Sequence, residues 1–388
     1  MIQPRFVRFI LFSSLIVTMT VVARAADVTV HTAVEFKTAV AYAKPGTRIL
    51  LAPGEYGGGF HFVGVQGEPD RPIVIAAADP KQPPVFRQAK TGLHFSHPAH
   101  LELENLVFTA ITTNGLNIDD GGRIDAPDAA HHIVLRGLRI SDIGGGGNED
   151  GIKLSGVADF RVTDCTIERW GAGGGSAIDM VGCHRGVIEG STIRHTSPPN
   201  CTGVQCKGGS SEIAIRGNRF EFAGGRAINI GGNTGRQFFR PGLKAGAAQA
   251  EARDIVVEGN TFLGGMSAVA FAGVDGAIVR FNTIERPERW ALRIVQENRA
   301  KDFVACRRGQ FTDNLVIFDS RRWSEGGVNI GAGTAPETFT FARNWWYCAD
   351  RPARSTPRLP APELAGVYGQ EPARAREHAG ATAWKQAL

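Results

Sequence analysis

The sequence lacks the features that mark several common protein classes. Its six cysteines include no C-x-x-C pair, so zinc ribbons and dithiol redox sites have little support. It contains no basic run and no DNA- or RNA-binding motif, so we expect no nucleic-acid partner. Beyond residue 25, no apolar run approaches the roughly 20 residues of a membrane span.

The first 25 residues have the composition of an export signal. Arg5 and Arg8 precede an apolar run at 9–22, and Ala23-Arg24-Ala25 has the A-x-A form of a cleavage site. The alternative is an uncleaved anchor, although the run is short for one. We therefore expect a periplasmic or secreted protein, free of the membrane after cleavage. The net charge of +5 then falls to about +2, because the segment holds three arginines and no acid.

Cysteines in an exported chain permit disulfides. Cys165 and Cys206 occupy inward strand positions and are predicted to be core residues. The other four form two plausible pairs, Cys183 with Cys201 and Cys306 with Cys348.

An internal repeat is the most informative property of the chain. Each copy reads small, apolar, variable, apolar, variable, so its apolar pair alternates at the period of two that is typical of a strand. A second strand follows most copies. The copies are G-L-H-F-S (92–96), G-L-N-I-D (115–119), G-I-K-L-S (151–155), A-I-D-M-V (177–181), G-V-Q-C-K (203–207), A-I-N-I-G (227–231), A-V-A-F-A (268–272), A-L-R-I-V (291–295) and G-V-N-I-G (327–331).

Asparagine marks the end of the second strand in several copies. Successive strand ends lie mostly 22 to 33 residues apart, and one step of 42 implies an inserted loop at about 233–252. Such a period indicates a parallel β-solenoid, in which aligned asparagines form an internal ladder of side-chain amides. The marked residues are Asn105, Asn218, Asn260, Asn282, Asn314 and Asn344.

These patterns together predict an all-β, single-domain parallel β-helix over residues 26–350. A short amphipathic helix at 35–43 is predicted to cap its first coil. A proline-rich tail over 351–388 follows, with a further short helix predicted at 371–387.

Two segments carry a resemblance to a known family. KPGTRILLAPGEY (44–56) and RPIVIAAADPKQPPVF (71–86), followed by the Asn-marked coils, resemble the right-handed parallel β-helix (pectin-lyase-like) superfamily. The start is most similar to the chondroitinase B and alginate lyase family. This resemblance implies a lyase that cleaves an acidic, uronate-containing glycan by β-elimination. The fold hosts many activities, so a glycoside hydrolase and a non-catalytic glycan-binding protein stay open.

In that lyase family a Lys at the second variable position acts as base, and an Arg at the same position of the next coil assists it. A calcium ion held by carboxylates neutralises the uronate. Lys207 in V-Q-C-K matches the base position. Gly231 stands where the Arg is expected, and residues 199–202 carry no carboxylate pair. Arg226 is the candidate replacement, and calcium is a predicted cofactor.

The variable positions stack into columns whose polar members concentrate between residues 115 and 231. Lys207 is the predicted base, and cations at Lys153 and Arg226 are expected to favour its neutral form. Lys153 and Asp179, one coil apart, can form an ion pair. Asp150 and Asp179 are predicted to hold calcium, or to be the acid pair of a hydrolase. We expect a monomer that binds its polysaccharide through Asn117, Asp179, Gln205, Asn229 and Arg293.

Overall fold

The computed structural model describes residues 27–372 except residues 127 and 324. The predicted signal segment and nearly all of the predicted helix at 371–387 lie outside the described residues.

The described chain winds through three sheets whose neighbouring strands are all parallel. Sheet 1 contains Phe60–Val63, Thr91–Ser96, Asn114–Asp119, Asp150–Ser155, Ser176–Val181, Thr202–Lys207, Arg226–Gly231, Ser267–Ala272, Trp290–Val295 and Val328–Ile330. Sheet 2 contains Asp27–Val30, Arg48–Leu51, Ile73–Ala77, Ala99–Glu104, Ala130–Arg136, Val157–Thr163, His184–Glu189, Ser210–Arg216, Ala252–Glu258, Asp275–Arg280, Arg307–Thr312, Thr340–Ala342 and Glu363–Leu364. Sheet 3 contains Glu55–Gly57, Val85–Arg87, Val107–Ile111, Arg139–Ile143, Thr166–Glu168, Thr192–Arg194, Arg219–Glu221, Thr261–Leu263, Thr283–Glu285, Leu315–Phe318, Trp345–Cys348 and Val367–Tyr368. This architecture is a parallel β-helix, as predicted.

The strand register of sheet 1 confirms the predicted columns. Ile152 pairs with Ile178 and Ile178 with Val204, and all three side chains are fully buried. The alternate residues form an outward column: His94, Asn117, Lys153, Asp179, Gln205, Asn229, Ala270, Arg293 and Asn329.

The sequence predicts two strands per coil, whereas the structure has three. Most strands of sheet 3 are only three residues long and bury one side chain, such as Ile193 in Thr192–Arg194. A period of two cannot be recognised in so short a segment, so these strands were not predicted.

The asparagine ladder is present in the buried turn between sheets 2 and 3. The backbone N–H and the side-chain amide of each member donate to the side-chain oxygen of the next, at 2.9–3.1 Å. Its members are Asn218, Asn260, Asn282, Asn314 and Asn344. The assignment of Asn105 to this ladder is wrong, because Asn105 occupies the left-handed turn position (φ +55°) and Leu106 fills the buried place.

The chain before the first full coil contains one α-helix, Ala33–Ala41, two residues earlier than expected. Thr32 caps it by accepting a hydrogen bond from Glu35 N at 3.1 Å. Phe36 is fully buried, with its ring 5.3 Å from that of Phe60. No helix among the described residues is long and apolar enough to cross a membrane.

Strand pairing continues past residue 350, where the sequence predicts the solenoid to end. Glu363–Leu364 adds to sheet 2, and Val367–Tyr368 adds to sheet 3. Glu363 Oε1 accepts from Asn344 Nδ2 at 2.7 Å, so a carboxylate closes the asparagine ladder.

Both predicted disulfides are wrong, because all six cysteines are free and buried. Cys201 precedes strand Thr202–Lys207, whereas Cys183 follows the neighbouring strand Ser176–Val181. The two thiols therefore lie at opposite ends of paired six-residue strands, roughly 20 Å apart. Cys165 and Cys206 are core residues, as predicted.

The ladder generates a stability prediction. Asn282→Ala should lower the free energy of unfolding by about 3 kcal/mol, because Val257 O and the amide groups of Asn260 lose buried partners. Urea unfolding measures the change. Asn105→Gly is the control and should cost less than about 1 kcal/mol, since glycine tolerates the left-handed backbone there. Equal losses in the two variants would contradict the ladder's structural role.

Candidate functional site

A cleft of about 800 Å³ lies over the outward face of sheet 1. Its floor comes from six successive coils, and one wall is the inserted loop after strand Arg226–Gly231. The lining residues are Val63, Ser96, Asp119, Asp120, Gly121, Gly122, Lys153, Ser155, Val181, Lys207, Asn233, Thr234, Gly235, Phe238 and Arg240. Of the predicted catalytic residues, Lys153 and Lys207 are in this lining.

Two buried carboxylates lie beneath these lysines. Lys153 Nζ forms an ion pair with Asp179 Oδ2, as predicted, and lies 3.5 Å from Asp150 Oδ2. Asp150 Oδ1 also accepts from Ser176 N at 2.8 Å. The side chains of Asp150 and Asp179 are only 5% and 4% exposed, whereas that of Lys153 is 24% exposed. A ligand in the cleft therefore meets the ammonium group before the carboxylates.

Burial and neighbouring charges shift the pKa values of Asp150 and Lys153. Burial, followed by the negative charge of Asp179, raises the pKa of Asp150 from 3.8 to about 7. Burial acts to lower the pKa of Lys153, but attraction to Asp179 and Asp150 outweighs it and raises that pKa above its usual value. Lys153 is thus held in its charged form, and Asp150 keeps its proton to a higher pH than an ordinary aspartate does.

Lys207 also contacts Asp179. The coil of Asp179 lies between the coil of Lys153 and that of Lys207. Lys207 Nζ lies 3.3 Å from Asp179 Oδ1 and donates to Gln205 Oε1 at 3.3 Å. Asp179 Oδ1 is buried and makes no hydrogen bond within the described chain, so the Lys207 contact is an ion pair with poor hydrogen-bond alignment. The structure therefore places a carboxylate between the two lysines, which sequence reasoning had treated as neighbouring cations.

The position expected to hold an arginine cannot carry any side chain. Gly231 has φ +91°, and a Cβ there would lie 1.9 Å from Ala272 O. Arg226, the proposed replacement, points elsewhere: its guanidinium donates to Asn229 Oδ1 at 3.1 Å and pairs with Glu297. It does not line the cleft that holds Lys207.

Arg226 lines a second cleft of about 500 Å³, which shares Asn233 with the first. Arg293 and Arg299 also line this second cleft. Arg293 lies over the ring of Trp290 at 4.8 Å, but Trp290 is only 5% exposed. Trp290 is therefore covered by arginine and does not offer an open ring to a sugar.

Two other predicted binding residues, Asn117 and Asn229, make hydrogen bonds within the protein. Asn117 Nδ2 donates to Asp119 Oδ2 at 3.1 Å, and His94 Nε2 lies 2.6 Å from the same oxygen. Although burial opposes it, hydrogen bonds from His94, Gly121 N and Ser96 lower the pKa of Asp119 to about 2. Asn229 is fully buried and donates to Gly231 O at 3.2 Å.

The wall of the cleft depends on an ion pair that sequence reasoning missed. Arg240 Nε donates to Asp120 Oδ2 at 2.5 Å, across 120 residues of sequence. The loop is fixed at its base by Glu251, which is fully buried and accepts from Gly208 N and Thr234 N at 3.0 and 2.9 Å. The long sequence step predicts the insertion, but no local signal shows that it folds back over earlier coils.

A calcium ion does not fit the predicted pair. Lys153 Nζ already lies between Asp150 and Asp179, and Lys207 approaches the remaining Asp179 oxygen. Calcium takes six to eight oxygen ligands, and this pair offers few that are not already turned towards an ammonium group.

Comparison with known proteins supports the fold. A family model described as the right handed beta helix region matches residues 91–241, which include five of the six coils of the cleft floor and Arg240. The fold is a right-handed parallel β-helix. No curated protein sequence is significantly similar to the chain.

Solved structures with the same fold include lyases and a glycosidase. An alginate lyase from Paenibacillus sp. str. FPU-7 has a TM-score of 0.54 and 20% identity, over 78% of this chain and 99% of its own. A mannuronic acid specific polysaccharide family 6 lyase from human gut microbiota has a TM-score of 0.50 and 16% identity, over 93% and 97%. A GH136 lacto-N-biosidase from Eubacterium ramulus has a TM-score of 0.59 and 14% identity, over 87% of this chain and 64% of its own. At these identities the likeness shows the fold alone.

The raised pKa of Asp150 predicts a pH-dependent contribution to stability. The folded chain retains a proton that the unfolded chain releases between pH 3.8 and about 7. This contribution is complete below pH 3.8 and is lost as the pH rises to about 7. Relative to wild type, Asp150→Asn should therefore gain more than about 1 kcal/mol of unfolding free energy between about pH 4 and pH 8. Urea unfolding across this range measures it.

Asp164→Asn is the matched control, because Asp164 is exposed. Its difference from wild type should stay flat across the same range. A flat difference for Asp150→Asn as well would mean that Asp150 is ionised throughout.

We predict that the Arg240–Asp120 ion pair holds the inserted loop against the earlier coils. Arg240→Gln leaves the buried Asp120 without its charged partner and should cost about 3–5 kcal/mol. Chymotrypsin should then cleave after Phe238 faster than in wild type. In the control, Arg236→Gln breaks a pair with Asp302 whose side chains are 56% and 33% exposed, so it should leave the stability nearly unchanged. Similar cleavage rates for the two variants would contradict the anchoring role.

Proposed function

We propose that the protein is an exported polysaccharide lyase that cleaves an acidic, uronate-containing glycan by β-elimination. The observation that carries the proposal is the pair of partly exposed lysine side chains, Lys153 and Lys207, in the floor of one open cleft. The lyases among its structural neighbours support the same reaction class.

The chemistry divides between the two lysines. Lys153 stays cationic, so it can neutralise the uronate carboxylate and stabilise the charge that develops there when the adjacent C5 proton leaves. Lys207 is held more loosely, by two contacts of 3.3 Å, and its Nζ is assigned as the base that takes this proton. The bond from C4 to the bridging oxygen breaks, and the new ammonium group of Lys207 returns a proton to that oxygen. Asp179 balances the positive charge of Lys207 during this cycle.

The proposed reaction uses the ammonium group of Lys153 in place of a calcium ion to neutralise the uronate. Arg226 and Arg293 are assigned to binding a further acidic sugar in the second cleft, together with Gln205 and Asn229 as supporting residues. A periplasmic or secreted location and a monomeric state are parts of this proposal.

A hydrolase is the second candidate, because Asp150 and Asp179 form a pair of carboxyl groups with unequal proton affinity. The GH136 neighbour supports this class. Their burial beneath Lys153 opposes it, since a hydrolase needs both groups at the scissile bond.

The lyase proposal predicts that Lys207→Met reduces turnover by about 10²–10⁴-fold, the usual contribution of a general acid–base residue. The measurement is the ultraviolet absorbance of the unsaturated uronate product. The substrates are alginate, pectate, chondroitin and dermatan sulfates, hyaluronan and heparan sulfate, each with calcium and with chelator. Circular dichroism should show that the variant is folded, because Asp179 keeps its ion pair with Lys153 and the side chain of Lys207 points away from the core.

Lys81→Met is the matched control, since Lys81 is an exposed lysine outside both clefts, and it should keep full activity. Wild-type activity in Lys207→Met would refute the assigned base. Reducing ends without ultraviolet absorbance would identify the hydrolase instead, and Asp150→Asn would then be the inactivating change. Retention on a polymer with neither product would indicate a binding protein.

A further inference from the structure

Three histidines cluster on sheet 2, outside both clefts of the glycan site. His100 belongs to strand Ala99–Glu104, and His131 and His132 belong to the next strand of the sheet, Ala130–Arg136. One ring nitrogen from each histidine lies within 4.8 Å of the other two. No other group of three or more histidine, cysteine or acidic residues within the described chain is as close.

The backbone explains how consecutive residues reach one side. Side chains at 131 and 132 would point to opposite faces of a regular strand. His132 has φ +55°, and His100, its partner by strand register, has φ +46°. The left-handed bend recurs at Asp159 and Arg185 in the following coils, so it is a regular feature of sheet 2. In this cluster it turns consecutive histidines to one side.

The ring geometry already resembles a set of ligands. His131 Nδ1 and His132 Nδ1 lie 2.8 Å apart, so one of the two must present a lone pair to the other. The ring centroid of His100 lies 4.4 Å from that of His132 and 5.1 Å from that of His131. Nitrogens bound to one tetrahedral zinc ion are about 3.3 Å apart, given Zn–N distances of about 2.0–2.1 Å. A small rotation of the rings therefore brings all three to one ion.

The surroundings admit a cation and leave it open to solvent. His132 is exposed, and His100 and His132 line a concavity of about 350 Å³. Asp159 borders the same concavity, where Arg185 holds it by two hydrogen bonds of 2.8 Å. The ion would thus have three protein ligands, with water at the fourth position.

We propose that His100, His131 and His132 form a site for one late first-row transition-metal ion, with Zn²⁺ as the reference ligand. Imidazole nitrogen suits zinc, nickel and copper, whereas calcium and magnesium prefer oxygen. The ion would join two neighbouring coils across the loop 120–129, which carries the Asp120 anchor of the cleft wall. The site is independent of the proposed lyase reaction.

The test is calorimetric titration of Zn²⁺ into the chelator-treated protein, purified without a polyhistidine tag. We expect one ion per chain, no binding of Ca²⁺ at the same concentrations, and a zinc-dependent rise in the melting temperature. His132→Gln should weaken binding at least about tenfold, since even changes in groups around a metal's ligands cost 10–100-fold. His100→Ala combined with His132→Gln should abolish it.

His31→Gln is the control, because His31 is exposed and lies outside the cluster, and it should bind zinc as wild type does. Circular dichroism and melting without metal show that each variant is folded. The exposed position of His132 makes the single variant the safer one. Absence of zinc binding in wild type, or undiminished binding in folded His132→Gln, would overturn the proposal.

Discussion

Every coil of this protein must pair with its neighbours in the same register, because the buried side chains of one coil are the floor on which the next coil packs. Ile152, Ile178 and Val204 form such a stack, fully excluded from water. A shift of one residue would expose each stack, so the register is strongly fixed. The outward positions are then fixed as well. Lys153, Asp179 and Lys207 meet because the core beneath them is aligned.

The repeated part of this arrangement could be predicted from sequence. The apolar pair in each copy reveals the inward columns, and the regular spacing reveals the turns. Prediction failed where one coil departs from the rest by a single residue. Asn105 has the right residue type but stands one position early, at the left-handed turn, so the buried site falls to Leu106. The strands of sheet 3 escaped prediction because each buries little more than one side chain.

The candidate site could be predicted only along the columns. The outward positions of Lys153 and Lys207 follow from strand alternation, but the depth of Asp179 between them does not. Arg226 occupies the first residue of its strand, where its side chain reaches Glu297 rather than the cleft. The Arg240–Asp120 contact joins positions 120 residues apart, and no periodic pattern records such a contact.

The inserted loop makes one part of an otherwise uniform face different from the rest. It leaves sheet 1 at Gly231, where no side chain fits, and returns over four earlier coils to reach Asp120, a distance of about 19 Å at 4.8 Å per coil. In the next coil both outward positions are apolar, at Ala270 and Ala272, and polar residues return to the first column only at Arg293 and Asn329. The polar floor and the loop therefore coincide. Because the loop supplies the wall and the columns supply the charges, a change in the loop should alter the shape of the cleft while leaving the contacts among Lys153, Asp179 and Lys207 intact.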